Sequence, residues 1–275
     1  MKNICLWILM PLLLAGCEYE LSPFQTDVNC PGVSVEESLA RLRAFEEKLG
    51  LVNGYQVAIV SDPQQYPGSF DNVIKRINKN ENVHLILLTG DLAQTGVKAE
   101  FEWICKVMAK SNAPIFPVIG NHDALSFGTE IWEDIFGPLD YSFTYQGTKF
   151  IGYNDNKYEF ENVPDRNWLA QEASIAAGET RYHTIGYSHI APWKEDEGFS
   201  EHLLNSGFDL MIHGHEHRFD YWHLENIGLD HYIAPETREQ EYGLLTIYQD
   251  SLVVENCNPD CYAATPRAIK EISLN

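Results

Sequence analysis

At 275 residues the chain has room for one large domain or two small ones, and its 44% hydrophobic and 21% charged residues provide ample material for a buried core. A formal net charge of −21 repels phosphate backbones and anionic headgroups, which argues against nucleic-acid binding and against a basic membrane-binding patch. A small phosphorylated ligand stays open, provided the fold supplies a local positive site.

The first sixteen residues, MKNICLWILMPLLLAG, stand apart from that core. A lysine precedes an apolar run too short for an ordinary spanning helix, and small residues follow, the order of an export signal. The LLLAG segment before Cys17 resembles the lipobox of bacterial lipoprotein precursors. The resemblance implies cleavage before Cys17 and lipid on that residue. The chain then divides into a signal peptide over 1–16, a tether over 17–33 and one domain over 34–275. Loss of the signal removes one lysine and moves the net charge from −21 to −22. Glu18 stands where an inner-membrane retention signal has aspartate, so the expected location is exported and lipid-anchored at the outer membrane, on its periplasmic or surface face.

Four cysteines remain beyond Cys5 and Cys17. Cys105 shares a helical apolar stripe with Phe101, Ile104 and Met108 and reads as a buried free thiol. In an exported chain, Cys257 and Cys261 can close a small loop, or Cys30 can pair with either. A zinc site from these three lacks a fourth soft ligand at finger spacing.

In chain order, residues 18–33 are polar and turn-rich, as befits a tether or a strap on the surface. Ser34 to Glu37 form a capping-box pattern before a helix that carries Val35, Leu39, Leu42 and Leu49 and stops at Gly50. A strand follows over 55–62, a helix over 70–80, a strand over 83–91, a helix over 97–110 and a third strand over 113–123. Residues 141–155 read as a hairpin turning at Gln146-Gly147. Then come a helix near 165–177, a strand over 182–192, a strand-to-loop step over 208–218 and further strands over 229–255. Near-continuous apolar strands alternating with amphipathic helices predict an α/β fold with helices on both faces of a sheet.

Chemistry gathers where these strands end. Asp62 ends the first, Gly90-Asp91 the second and Gly120-Asn121-His122-Asp123 the third; His189 and Gly214-His215-Glu216-His217 end two more. Ligands of open α/β sheets collect at the carboxyl ends of strands, so these ends are expected to converge. Asp62 to Asp91 is 29 residues and Asp91 to Asn121 is 30, about one βαβ repeat. Carboxylate, amide oxygen and imidazole form the donor set of borderline divalent metals such as Mn, Fe, Zn or Co. In extended chain His215 and His217 point to one side and can address one site. Glycines before Asp91, Asn121 and His215 permit close backbone approach. His213 is better read as packed inside its strand. Asn154 and Asp155 border the hairpin, and Tyr187, Trp193, Trp222 and His223 are weaker candidates for a pocket lining.

The ordered motifs resemble the calcineurin-like metallophosphoesterase superfamily over roughly residues 55 to 250, and GDLAQTG through FPVIGNHD is most similar to its cyclic-nucleotide-phosphodiesterase-like branch. The resemblance implies a four-layered α/β/β/α sandwich, two packed mixed β-sheets flanked by helices. It implies a hydrolase of phosphomonoesters or phosphodiesters with two divalent metal ions. Asp62, Asp91 and His217 would hold the first, and Asp91, Asn121, His189 and His215 the second. A hydroxide shared by the metals would attack phosphorus in line. His122 would contact the phosphate and Asp123 would orient His122. The site's own charge, about +1 with metals and hydroxide counted, would attract a phosphate despite the acidic surface.

One position departs from the pattern. Where the first motif calls for histidine, this chain has Gln64. Three outcomes are open: the amide oxygen ligates and shifts preference toward Mn or Mg, a water takes the imidazole's place, or only the second metal binds. The last would make a non-catalytic, lipid-anchored metal- or phosphoester-binding protein. A metallopeptidase is not indicated, since the chain has no HExxH helix.

Overall fold

A computed structural model describes residues 25–192, 197–224, 228–258, 261 and 269–273. The signal segment, Cys17, the start of the tether and Trp193 lie outside these residues. No helix among the described residues is long and apolar enough to cross a membrane.

Helix α1 (Val35–Leu49) begins with the predicted capping box: Ser34 accepts from the Glu37 amide while the Glu37 carboxylate reaches back to the Ser34 amide. The chain then alternates through β1 (Tyr55–Val60), α2 (Pro67–Ile77), β2 (Val83–Leu88), α3 (Lys98–Met108) and β3 (Ile115–Pro117). A short helix, α4 (Gly128–Ile135), precedes the hairpin β4 (Tyr141–Tyr145) and β5 (Thr148–Gly152). Its turn residues Gln146 and Gly147 both have positive φ, as the two-residue turns matched to strand twist require. After α5 (Arg166–Ala173) come β6 (His183–Tyr187), α6 (Glu197–Ser206), β7 (Leu210–His213), β8 (Asp220–Leu224) and β9 (Leu229–Ile233). A 3-10 turn over Thr237–Glu239 leads to β10 (Tyr242–Ile247), β11 (Ser251–Cys257) and β12 (Ile269–Ser273). Helices α4 and α6 and strands β8 and β12 have no counterpart in the sequence reading, and β3 is a three-residue remnant of the strand expected over 113–123.

The strands form two six-stranded mixed sheets, ordered β12-β11-β10-β1-β2-β3 and β4-β5-β6-β7-β9-β8. Strands β1, β2 and β3 run parallel, as do β5, β6, β7 and β9. Alternation along β1 shows why its apolar run is continuous. Val57 and Ile59 meet Leu210, Ile212 and Tyr232 of the other sheet, whereas Ala58 and Val60 face Phe70, Val73 and Ile74 of α2. The second sheet repeats the scheme, with Ile151 and Met211 turned toward Leu169 of α5 and Leu203 of α6. The result is the four-layered α/β/β/α sandwich. Helix α1 lies outside these layers and closes the seam at the β3 and β4 edges through Val35 and Leu42.

The cysteines correct the sequence reading. Cys105 is not a free thiol: it is bonded to Cys30, with a Cα–Cα distance of 5.6 Å. Its apolar helix face is covered by the strap, where Val28, Cys30 and Val33 pack against the α3 side of the core, and Lys98 binds Asp27. A stripe reports that a face is buried, and cannot say that the covering segment carries a second thiol. Cys30 therefore pairs with neither Cys257 nor Cys261, which close their own loop. The 75-residue separation bridged by Cys30 and Cys105 restricts the unfolded chain, worth about 4 kcal/mol on a loop-entropy basis.

Candidate metal centre

Six candidate donors stand at the carboxyl ends of strands in both sheets. The first sheet supplies Asp62 after β1, Asp91 after β2 and Asn121 after β3; the second supplies His189 after β6 and His215 and His217 after β7. Backbone bonds lock the ends together: Asp62 N–H to Gly90 O, Gln64 N–H to Asp91 O and Gly214 N–H to His189 O. Glycine is required at two of these junctions. A methyl at Gly120 would overlap the Asp91 carboxylate, and one at Gly214 would overlap the Ser61 hydroxyl and approach Asp62.

Four of the six have positive φ: Asp62 at 51°, Asp91 at 54°, His215 at 68° and His217 at 55°. Left-handed backbone in non-glycine residues is uncommon and gathers at functional sites. It also revises the reason for placing both histidines here. Neither is in extended chain, so strand alternation does not align them, and they enter two different groups.

The first group is Asp62, Asp91 and His217; the second is Asp91, His189 and His215. In each, one donor atom per residue lies within 4.8 Å of the others, and Asp91 belongs to both. Asn121 joins the second group through Oδ1, 3.2 Å from His189 Nε2. Asp62 and the shared Asp91 each keep one oxygen for the protein and one toward the centre. Asp62 Oδ2 accepts from the Ser61 hydroxyl and the His215 amide, and Asp91 Oδ1 accepts from the His122 amide. Asp62 Oδ1 and Asp91 Oδ2 are buried and make no well-aligned hydrogen bond; each has only an imidazole beside it, His217 and His189 respectively. Gln64 Oε1 is buried without a hydrogen-bond partner. Buried oxygens whose only neighbours are other potential ligands are costly to leave without a cation, so the donor set fits a divalent metal.

The imidazoles are aimed by groups the sequence reading did not name. His189 Nδ1 donates to Thr89 O at 2.7 Å, which leaves Nε2 toward Asp91 Oδ2 and His215 Nδ1 at 3.2 and 3.3 Å. Burial opposes charge on His189, but Asp91 and Asp62 outweigh it and push its pKa up to about 10. Burial likewise works against Asp91, yet the charge of His189 holds that carboxyl below its usual range. Burial and the neighbouring His189 lower His215, whereas the bond to Asp62 raises His217. Asp91, His189 and His215 would hold a cation in the second group only with His189 deprotonated at Nε2.

His122 is half-buried, and its Nδ1 donates to Gln94 O at 2.7 Å, so Nε2 is the atom left for a ligand. Among the described residues no hydrogen bond joins Asp123 to the His122 ring. The Asp123 carboxylate accepts from the Ala93 amide at 2.7 Å and the Gly120 amide at 2.9 Å, so it fixes the loop backbone while Gln94 orients the ring. Asp123 was expected to orient His122; with both its oxygens bound to backbone amides, it has none directed at the ring.

The weaker candidates fall outside the centre. His213 is fully buried within its strand, between Ser188 and His231. Asn154 holds its own turn through Asn156, and Asp155 accepts from the Ile190 amide behind His189. Burial pushes the Asp155 carboxyl up to about 6. Tyr187 lies in the inter-sheet core bonded to Tyr141, Trp222 stacks on His231, and His223 pairs with Asp230. Glu236 has no place among the sequence candidates, although it carries the same signal as Asp62, an apolar strand running into a carboxylate, in HYIAPE.

A two-sheet sandwich with a shared carboxylate at its strand ends defines a metallophosphoesterase architecture. The family model for calcineurin-like phosphoesterase matches residues 55–219, and the chain belongs to that family. Three solved structures share the fold. Purple acid phosphatase PPD1 from yellow lupin (Lupinus luteus) seeds has a TM-score of 0.64 and 13% identity, covering 82% of this chain and 54% of its own. GAP50, the anchor in the inner membrane complex of Plasmodium, has a TM-score of 0.61 and 13% identity, with 82% and 90% covered. PhoD has a TM-score of 0.58 and 9% identity, with 82% and 73% covered. The chain spans about half the length of the lupin phosphatase. At these identities the likeness is one of fold. No curated protein matches the sequence closely enough to count as a relative.

Proposed function

We propose that the chain hydrolyses phosphoesters at a centre of two divalent metal ions bridged by Asp91. The first ion would be held by Asp62, Gln64, Asp91 and His217, the second by Asp91, Asn121, His189 and His215. The observation that carries this reading is a carboxylate common to both donor groups, with buried oxygens of Asp62 and Asp91 that face only other candidate ligands. Divalent ions at such a centre polarise phosphoryl oxygens and supply a nucleophile at neutral pH. The chain's own contributions are orientation and proton transfer. Gln94 O holds the His122 ring so that Nε2 addresses the leaving oxygen, and Asp123 fixes the loop that carries it.

The proposed substrate is a small phosphoester, monoester or diester, met outside the cytoplasm. The export signal and Cys17 support delivery as a lipid-anchored protein of the outer membrane. Protein purified without chelator, assayed with bis(p-nitrophenyl) phosphate in Mn and analysed for metal, tests the reading. Turnover that requires metal and falls in His122→Ala is the expected result. No turnover with any divalent metal overturns the reading.

The second reading, a metal- or phosphoester-binding protein without turnover, is favoured by one observation. The amide of Gln64 is a weaker donor than the imidazole that the family pattern places there.

A further inference from the structure

Glu236 stands beside His217, on a segment that contributes no candidate donor to the centre. It follows β9 and forms a parallel bridge with Ser61, and the next amide, Thr237 N–H, bonds to Ser61 O. The carboxylate is buried, at 5% exposure. Its Oε2 lies 3.5 Å from His217 Nδ1, while His217 Nε2 lies 3.3 Å from Asp62 Oδ1. The ring is thus held between two carboxylates, although its side chain is 44% exposed and would otherwise turn freely. The other Glu236 oxygen, Oε1, pairs with Arg238 at 2.6 Å, and the Arg238 guanidinium lies 5.7 Å over the Tyr66 ring. Tyr66 is two residues after Gln64. A continuous chain of contacts therefore runs from the loop carrying Gln64 through Arg238 and Glu236 to His217.

We infer that Glu236 is the positioning residue that keeps the first cation site competent with glutamine at position 64. Facing Nδ1, it would keep a proton there, so that Nε2, beside Asp62 Oδ1, is the atom that turns to a cation when one is bound. A carboxylate behind a ligating imidazole also raises its basicity. Gln64 gives the site a weaker donor than imidazole, and Glu236 strengthens the histidine that the site has. Arg238 holds Glu236 in place and ties it to the Gln64 loop. This inference rests on the two-ion reading above.

The test uses the full chain and manganese alone, with bound ions counted by equilibrium dialysis and the metal-free melting temperature recorded. Wild type is expected to bind two ions. Glu236→Gln is expected to keep one at unchanged affinity and to bind the other roughly 10–100-fold more weakly, with an unchanged metal-free melting temperature. Adding Gln64→His to that variant is expected to restore the second ion. Should Glu236→Gln fail to fold, Glu236→Asp keeps the charge but falls one methylene short of His217, and the same selective weakening is expected. Two ions at wild-type affinity in these variants overturn the inference and leave the two-ion reading standing. Equal weakening of both ions with a lowered metal-free melting temperature marks a structural role and also overturns it. A loss that Gln64→His does not repair overturns the compensation. Wild type binding fewer than two ions overturns both readings.

Discussion

Two histidine clusters lie on neighbouring strands of the second sheet and behave in opposite ways. At the strand ends His189 sits among Asp91, Asn121 and His215, and carboxylates push its pKa up to about 10 against burial. One step inside, His213 and His231 stack at 5.4 Å, joined by a 3.1 Å Nε2 to Nδ1 contact and flanked by Ser188 and Ser200. Burial outweighs the charge of nearby Asp230 and pushes His231 down to about 4, and burial with the neighbouring imidazoles holds His213 well below its ordinary value. Residue type and burial are shared, so the partner decides. Where carboxylates face the imidazoles, a cation is called for; where serines and a second imidazole face them, the rings stay neutral and serve the core.

The comparison breaks most severely at Asp91, the group common to both halves of the centre. Asp91→Asn keeps the shape but removes the shared charge. It should abolish binding of both ions and lower bis(p-nitrophenyl) phosphate turnover at least about 10³-fold, equivalent to about 4 kcal/mol of transition-state stabilisation. Unchanged metal content would show that Asp91 bridges nothing. Next in size is His122→Ala, which removes a proton donor and no metal ligand. Turnover should fall about 10²-fold with both ions retained. Loss of ions together with activity would move His122 into the metal-holding group.

The inner cluster makes the third prediction, in stability. His231 has a folded pKa near 4, below the ordinary value near 6.5 that the unfolded chain keeps. Between the two the unfolded state binds a proton that the folded state refuses, so stability rises with pH and is lost as pH falls from about 6.5 toward 4. From pH 7 to pH 5 the loss is about 2 kcal/mol. Urea unfolding of metal-free protein at both pH values should show this difference shrinking in His231→Phe. An unaltered pH dependence would mean that His231 is solvated in solution.

How far the sequence carried these conclusions depends on the kind of information. Asp62, Asp91, Asn121, His189, His215 and His217 were legible because each ends an apolar run, and a strand's carboxyl end fixes its place in the fold without side-chain detail. The capping box at Ser34 and the hairpin turn at Gln146-Gly147 were legible because local backbone chemistry determines them. What failed was long-range. Cys105 showed a buried stripe but not the strap that covers it. The Thr89 and Gln94 carbonyls that orient His189 and His122 are backbone atoms, which any residue type supplies. Glu236 and Asp62 meet only because two strands end side by side across more than half the chain. The left-handed backbone at four donors has no signature in asparagine-free, glycine-free positions such as His215 and His217.

Gln64→His is expected to have the smallest effect, and it sharpens the comparison at its weakest point. An imidazole is a stronger donor than an amide for borderline metals, so manganese at the first site should bind about tenfold more tightly. Turnover with saturating manganese should change by less than about tenfold if, as proposed, Glu236 positions His217 and the Gln64 oxygen serves as a ligand. Titration of turnover against manganese separates the two quantities. A rise of a hundredfold or more at saturating metal would mean that the natural first site does not serve catalysis, and the protein would then belong with binders rather than hydrolases. A large fall would mean that the pocket around Gln64 is shaped for an amide, which would make the glutamine an adaptation and not a loss.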